Sequence, residues 1–217
     1  MLKRDYILNI IEQFGRALAN IIGLINLADY RLAQETLQQT ADNYLGLRVD
    51  QLENESALDL LARVRTGRPE TDISNWVILT ELLCVRGDLY HATGQERVAV
   101  ETYLKALDAA TEVGRKAEIF PYFQAPINQL QERLTNYVLP LPIAQKLFTG
   151  YELSGEYAAA EDLLFDLIDT TSNDPAIIEM GLAFYDRLWQ ISDYRLLQGG
   201  LSREEVEESM GELLALS

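Results

Sequence analysis

The sequence predicts an all-α protein, and three observations support this fold class. Apolar residues recur at spacings of three and four through most of the 217-residue chain, whereas alternating strand patterns are hard to find. The six prolines fall in connections or near helix starts, where a missing N–H group is tolerated. Glycines and capping residues stand where helices should end or begin. Together these signals indicate about ten helices joined by short connections.

The first predicted helix carries an apolar seam with a period of 3.5 residues, close to a coiled-coil pattern. Ile10 and Ile22 widen this seam. A helix with such a seam is expected to pack along one face. The residues of the apolar seam are spaced by 4, 3, 4, 3 and 4 positions and are Ile7, Ile11, Phe14, Leu18, Ile21 and Ile25.

The stretch "NWVILTELLCV", residues 75–85, resembles a buried strand when it is taken alone. Leu79, Leu83 and Leu89 nevertheless keep helical spacing into the residues that follow, so we predict a helix. The least regular parts of the sequence are residues 48–72 and 115–141.

Two helix starts are marked by capping signals. Asp174 and Pro175 predict an N-cap followed by a proline in the first turn. The residues "SREE" at 202–205 predict a capping box that opens the last helix.

Three segments of the chain share small and aromatic residues at equivalent positions. A small residue near the start of the second helix lets two helices approach closely, and an aromatic residue of the first helix fills the gap above it. Glycine then ends the first helix in a left-handed turn. The equivalent small residues are Ala33, Ala99 and Ala160, and Gly94 aligns with Gly155 and Tyr90 with Tyr151.

This pattern resembles the tetratricopeptide repeat, a helix-turn-helix unit of about 34 residues. The middle segment matches the family's small and aromatic positions with Gly87, Tyr90, Gly94, Ala99, Tyr103 and Ala106. The last segment keeps Leu147, Tyr151, Gly155, Tyr157 and Ala160, and the first keeps Tyr30, Ala33 and Leu37. Leu83, Thr111 and Leu167 depart from the residues that the family usually has there. The resemblance implies a stack of helix hairpins.

The spacing of the segments departs from a regular array. The equivalent alanines lie 66 and then 61 residues apart, so additional helical material must follow each hairpin, near residues 52–66 and 119–138. We therefore expect one helical domain over residues 1–217, an α-solenoid-like, tetratricopeptide-like stack with irregular insertions. The predicted hairpins span about residues 14–47, 80–113 and 141–173, and capping helices follow over 175–217.

The whole chain also resembles a family of uncharacterised bacterial proteins of similar length. The resemblance rests on "RDYILNIIEQFGRAL" near the start and on "GLAFYDRL" and "GGLSREEVEE" near the end. It implies a bacterial, cytoplasmic, helical protein and carries no assigned activity.

Composition argues against several kinds of partner. The net charge is −16, and residues 152–217 hold 15 acidic and 3 basic residues. Because this third of the chain repels a phosphate backbone, nucleic acid is not an expected partner. The apolar stretches are too often interrupted to span a membrane, and polar residues near the N-terminus do not suit a secretory signal. With Cys84 as its single cysteine, the chain suits the cytoplasm.

The residues most suited to chemistry are Cys84, Asp88 and His91, which share one helix face. All three types bind transition metals, but three ligands so close along one helix seldom reach a single ion. We therefore expect no metal site, no other cofactor and no catalytic residue. The carboxylate clusters at residues 161–166 and 204–208 are interpreted as solvated helix faces.

The expected function is a non-enzymatic interaction or scaffold module that binds a protein or peptide in a helical groove. Two alternatives remain open: a metal-dependent or hydrolytic enzyme that uses Asp88 and His91, and a structural homo-oligomer. From the alignment of the repeats we predict that seven residues line the partner groove: Glu81, Cys84, Asp88, His91, Gln145, Thr149 and Glu152.

The N-terminal helix is the reason for the homo-oligomer alternative. Leu18, Ile22 and Ile25 take groove-facing positions in the alignment but are apolar, which would leave an exposed hydrophobic patch. Either the insertion that contains "ALDLLARV" covers them, or a second chain does so in a symmetric homodimer. We favour packing within the chain.

Overall fold

The computed structural model describes the backbone of residues 2–116 and 118–216, and the side chains of residue 10 and of residues 12–116 and 118–216. Across these residues the chain forms twelve α-helices, one short 3-10 helix (Phe120–Tyr122) and no β-strand, which confirms the all-α prediction. The α-helices are α1 (Leu2–Asn26), α2 (Tyr30–Leu45), α3 (Val49–Asn54), α4 (Ala57–Arg63), α5 (Pro69–Ala92), α6 (Glu96–Gly114), α7 (Gln124–Arg133), α8 (Leu141–Ser154), α9 (Tyr157–Thr170), α10 (Pro175–Leu188), α11 (Asp193–Gln198) and α12 (Arg203–Leu216).

The stretches with the least regular sequence hold short helices. Helices α3 and α4 precede α5, and α7 follows the 3-10 helix. A helix of one or two turns contains too few residues to establish a periodic apolar pattern, so the sequence underestimates how many there are. None of the helices in the described part of the chain is both long enough and apolar enough to cross a bilayer.

The chain divides into two compact units. The first unit consists of Met1–Gly114 and Pro121–Leu139, and the second of Arg115–Phe120 and Pro140–Ser217. Consecutive helices pack as pairs within them: α1 with α2 and α5 with α6 in the first unit, and α8 with α9 in the second. That residues 1–217 form a single helical domain stays a prediction.

Helix α5 lies at the centre of the first unit. It packs against α1, α2, α4, α6 and α7, and buried side chains occur on every face of it. The stretch "NWVILTELLCV" is therefore helical, as its spacing predicted. Its continuous apolar character reflects burial on all sides rather than a place in a sheet.

Helices α5 and α6 approach each other closely at Gly87 of α5. Ala99, near the start of α6, is fully buried, and the Tyr103 ring lies against Gly87 of α5. A Cβ atom placed on Gly87 would stand 2.3 Å from Cε1 of Tyr103, closer than any real contact allows. The predicted pairing, a small residue of the second helix under an aromatic residue of the first, is therefore reversed at this crossing, since Gly87 belongs to α5 and Tyr103 to α6.

The N-terminal helix is covered mainly by α5. Helix α1 packs against α2 and α5, whereas α4, which contains most of "ALDLLARV", packs against α5 and α6. The expectation that this insertion covers α1 is therefore wrong, because the apolar surface of α5 supplies the cover. Phe14, Leu18 and Ile21 are buried, Ile25 is half-buried and Ile22 is 41% exposed. The side chains of Ile7 and Ile11 lie outside the described residues.

The second unit is built on the α8–α9 hairpin. Gly155 closes α8 in the left-handed region, with φ of 83°, and Ala160 of α9 is fully buried. Helix α10 packs against α9 and α12, and the Phe148 and Phe184 rings meet edge to face with centroids 5.2 Å apart. This unit therefore has an aromatic core of its own.

Both predicted capping signals are present. The Asp174 side chain accepts a hydrogen bond from the Ala176 N–H at 2.8 Å, with Pro175 as the first residue of α10. Before α12, the Ser202 N–H donates to Glu205 Oε2 at 2.7 Å and the Glu205 N–H donates to Ser202 Oγ at 3.1 Å. These bonds satisfy N–H groups that a helix start leaves without partners.

The substitution Gly87→Ala tests the close approach of α5 and α6. The added methyl group would overlap the Tyr103 ring, so we expect the free energy of unfolding to fall by about 1–3 kcal/mol in urea denaturation. Gly23→Ala in α1 is the matched control, because a Cβ atom there meets no atom within 4 Å. The control should gain roughly 0.5–1 kcal/mol, as alanine favours a helix over glycine. A loss as large in the control as in Gly87→Ala would contradict the packing described here.

Candidate partner-binding site

Asp88 is enclosed by side chains of α6 and α7. Its Oδ1 atom accepts hydrogen bonds from the Tyr103 hydroxyl at 2.7 Å and from Arg133 Nε at 2.6 Å, and its Oδ2 atom accepts one from Arg133 Nη2 at 2.8 Å. The Arg133 guanidinium also lies over the Tyr103 ring, 5.9 Å from its centroid. Burial and the Asp88 carboxylate together raise the pKa of Tyr103. Asp88, predicted to face a partner, therefore fixes α7 to the α5–α6 hairpin.

Cys84 lies one turn earlier on α5 and is 1% exposed. Burial raises the pKa of this free thiol to about 12, against a smaller opposing effect of Arg133. The thiol is therefore protonated near neutral pH and a poor nucleophile. The prediction that Cys84 lines a groove is wrong, because packing encloses α5 at this position.

Glu81, one further turn back, is half-buried. Burial raises the pKa of its carboxyl group, Arg133 acts in the opposite direction, and Asp88 adds to the rise. Ionising this group therefore weakens the folded state.

His91 is the exposed member of the predicted set. Its side chain is 64% exposed, and Nδ1 lies 2.6 Å from Glu96 Oε2. The Tyr137 hydroxyl donates to the other oxygen of Glu96 at 3.0 Å. The hydrogen bonds from His91 and Tyr137 lower the pKa of Glu96. His91 and Asp88, paired in the enzyme alternative, are thus held by different partners.

The remaining predicted residues belong to α8 in the second unit. Gln145 and Thr149 are half-buried, and the Thr149 hydroxyl donates to the Gln145 carbonyl at 2.9 Å. Glu152 binds the Arg187 guanidinium through both oxygens, with Arg187 Nη2 at 2.8 Å from Oε2. Glu152 therefore ties α8 to α10.

The acidic cluster at residues 204–208 is exposed, as predicted, whereas the cluster at residues 161–166 is only partly solvated. Asp162 and Asp166 are exposed, as predicted, but Glu161 is half-buried and accepts a hydrogen bond from the Tyr185 hydroxyl at 2.7 Å. Burial raises the pKa of Glu161, although the Tyr185 bond opposes the rise. Across the described residues, no group of three or more His, Cys, Asp or Glu side chains is arranged to hold a metal ion.

A charged pocket in the first unit was missed by the sequence analysis. It has a volume of about 250 Å³ and lies between the end of α3 and the facing sides of α5 and α6. Arg86, only 5% exposed, donates from Nε and Nη2 to the Tyr90 hydroxyl at 3.3 and 2.9 Å, and Nη2 also binds Glu53. The Tyr90 hydroxyl in turn donates to Glu53 at 3.2 Å. One signal was available: Arg86 interrupts an apolar run four residues before Tyr90.

Lys105 of α6 completes this pocket. Its Nζ atom donates to the backbone carbonyls of Leu52 and Glu53 at 3.1 and 2.8 Å, near the C-terminal end of α3. Burial, and to a lesser degree the nearby Arg86, lower the pKa of Lys105. Two cationic side chains therefore share a partly desolvated space.

The model of a family of unknown function (DUF6483) matches residues 1–217. No curated protein and no solved structure matches the chain at a significant level.

The substitution Arg133→Gln tests the role of Asp88. It removes the ion pair and leaves a half-buried carboxylate with fewer donors, so the free energy of unfolding should fall by about 1–3 kcal/mol. We also expect Cys84 to react faster with Ellman's reagent under native conditions, since α7 is then held less firmly on α5.

Arg97→Gln is the control for that experiment, because Arg97 pairs with Glu101 on the exposed face of α6. Loss of such a surface pair should change stability by less than about 0.5 kcal/mol. An Arg133→Gln variant with unchanged thiol reactivity and stability would show that Asp88 does not fix α7.

The substitution Glu81→Gln tests the burial of that carboxyl group. Because the folded-state pKa of Glu81 is raised, stability is lost as the pH rises through that value. The variant should therefore be more stable than the parent near pH 7 and no more stable near pH 4, where the parent group is protonated.

Urea midpoints measured across this pH range provide the readout. Asp162→Asn removes a charge from an exposed position and controls for the overall acidity of the chain. An equal gain in both variants at neutral pH would attribute the effect to net charge rather than to burial.

Proposed function

The chain belongs to the DUF6483 family of unknown function, and we propose that it is a non-enzymatic helical scaffold that binds a protein or peptide partner. In this proposal the helix hairpins form a tetratricopeptide-like stack. Scaffolds of this kind act through an exposed surface rather than through reactive side chains.

One observation carries the proposal: α5 packs against both helices of the preceding hairpin, α1 and α2, as well as against its own partner α6. Such nearest-neighbour packing is how helical-repeat proteins join one hairpin to the next. The buried Ala33 and Ala99 occupy equivalent places near the starts of α2 and α6. Their burial is consistent with two copies of one structural unit.

The surface of α1 is the best-supported binding face in the first unit. Ile22 is 41% exposed and Ile25 half-buried, at positions that the repeat alignment turns toward the groove. Exposed apolar side chains on a helix face are typical anchors for a partner that inserts its own apolar residues. The equivalent positions of α5 are less suitable, because Cys84 is buried and Asp88 binds Arg133 and Tyr103.

A second copy of the chain is a special case of this proposal. The exposed Ile22 side chain favours a second copy as the partner, because a symmetric dimer would pack the α1 face of one chain against the α1 face of the other. The two cases are distinguished by mass, because a dimer has twice the 24.5 kDa of one chain.

The substitution Ile22→Asp tests the binding face. A charge there should abolish partner binding and leave the chain folded, because 41% of the side chain already lies in solvent. Leu58→Asp on α4 is the matched control, since Leu58 is an exposed apolar residue, at 55%, on a different helix. We expect stoichiometric co-purification from the native cell, identified by mass spectrometry, with the parent and with Leu58→Asp but not with Ile22→Asp.

Light scattering of the same three purified proteins reports on the dimer. A parent mass of twice one chain that falls to one chain in Ile22→Asp identifies the partner as a second copy. Retention of the same partner by Ile22→Asp, or a monomeric parent with no stoichiometric partner, would reject this binding face.

A further inference from the structure

The second unit exposes large apolar side chains at and beside the short helix α11. Trp189, at the end of α10, is 47% exposed, and Tyr194 and Leu197 of α11 are 71% and 65% exposed. Tyr194 and Leu197 are three positions apart and therefore share one face of α11, whereas Leu196 is fully buried and anchors the helix. Exposed aromatic side chains of this size are enriched where proteins bind one another.

Arg203 holds Trp189 beside the start of α11. Its guanidinium lies over the Trp189 ring, 5.0 Å from the ring centroid, and its Nε atom donates to Asp193 Oδ1 at 2.9 Å. The same guanidinium donates to the backbone carbonyls of Leu188 and Trp189, both at 3.3 Å, which fixes it to the end of α10. Because Arg203 contacts both the Trp189 ring and Asp193, Trp189 and the first turn of α11 belong to one surface. A surface that is held in this way has little conformational freedom left to lose on binding.

The charges around this surface are mainly negative. Residues 175–216, which contain α10, α11 and α12, hold eight acidic side chains, all of them exposed, and three arginines. Two of these arginines are already paired within the unit, Arg187 with Glu152 and Arg203 with Asp193. An acidic rim of this kind repels a second copy of the same surface and attracts lysine or arginine side chains.

We propose that Trp189, Tyr194 and Leu197 form a docking surface for a basic segment of a partner protein. Apolar side chains of that segment pack on these three residues, and its lysines or arginines face the acidic side chains of α12. Helix α12 supplies such side chains close by, because it begins at Arg203 and continues with Glu204. The surface belongs to the second unit and does not depend on the binding face proposed for α1.

Fluorescence anisotropy with labelled synthetic peptides tests this docking surface on the full chain. The probe is a short peptide of leucine and lysine at helical spacing. In one control peptide serine replaces leucine, and in another glutamate replaces lysine.

We expect the leucine–lysine peptide to bind saturably, and more weakly as sodium chloride is added, because salt screens its ion pairs. The serine–lysine peptide should bind about tenfold more weakly, since it has no apolar side chains to bury, and the leucine–glutamate peptide should not bind. Equal binding of either control peptide, or no binding of the leucine–lysine peptide, would overturn the proposal.

Substitutions locate the binding on the chain. The double substitution Tyr194→Ser and Leu197→Ser leaves the net charge unchanged and should weaken binding of the leucine–lysine peptide by about tenfold. The double variant should fold, because both side chains lie mostly in solvent. Leu58→Ser, at a leucine of α4 that is 55% exposed, is the matched control and should bind like the parent. Equal affinity of the double variant and the parent would show that binding depends on charge alone and would reject the docking surface.

Two further results separate this proposal from its alternatives. Ile22→Asp should bind the peptide like the parent, so failure of this docking surface is distinguishable from failure of the α1 face. Light scattering tests for a second copy as the occupant. A dimeric parent that becomes monomeric in the double variant would overturn the assignment to a basic partner.

Discussion

The first unit depends on the burial of α5 on all of its faces. Removal of apolar surface from water contributes about 25 cal/mol per Å², and α5 offers such surface to five neighbouring helices at once. Each neighbour is positioned by this one helix, including α1, which α5 covers in place of the short insertion helices. Gly87 permits the close contact with α6, because no side chain separates α5 from the Tyr103 ring.

Full burial also determines the behaviour of the polar residues on α5. Asp88 and Arg86 are two positions apart and point to different neighbours. Asp88 receives donors from Tyr103 and Arg133 on both of its oxygens, so its desolvation is compensated and α7 is held in place. Arg86 keeps a donor that no described atom accepts. One charge is therefore paired in a structural tie, and the desolvation of the other is only partly compensated.

Packing also decides which side chains the proposed scaffold leaves exposed for a partner. A scaffold binds through side chains that remain exposed after folding, and on α1 these include Ile22, whereas the matching positions of α5 are used in packing.

Sequence alone was sufficient for the helical class and for the capping bonds at Asp174 and Ser202. Each of these depends on residues a few positions apart, so local spacing contains the information. The surroundings of Cys84, Asp88 and Arg86 could not be predicted in this way. Arg133 lies 45 residues from Asp88, and Glu53 lies 33 residues from Arg86. A local pattern shows whether a helix face is polar or apolar, but the packing of distant segments decides which partner covers that face. For this reason Cys84, predicted to line a groove, is buried, and Arg86, which no local pattern singled out, lines a pocket.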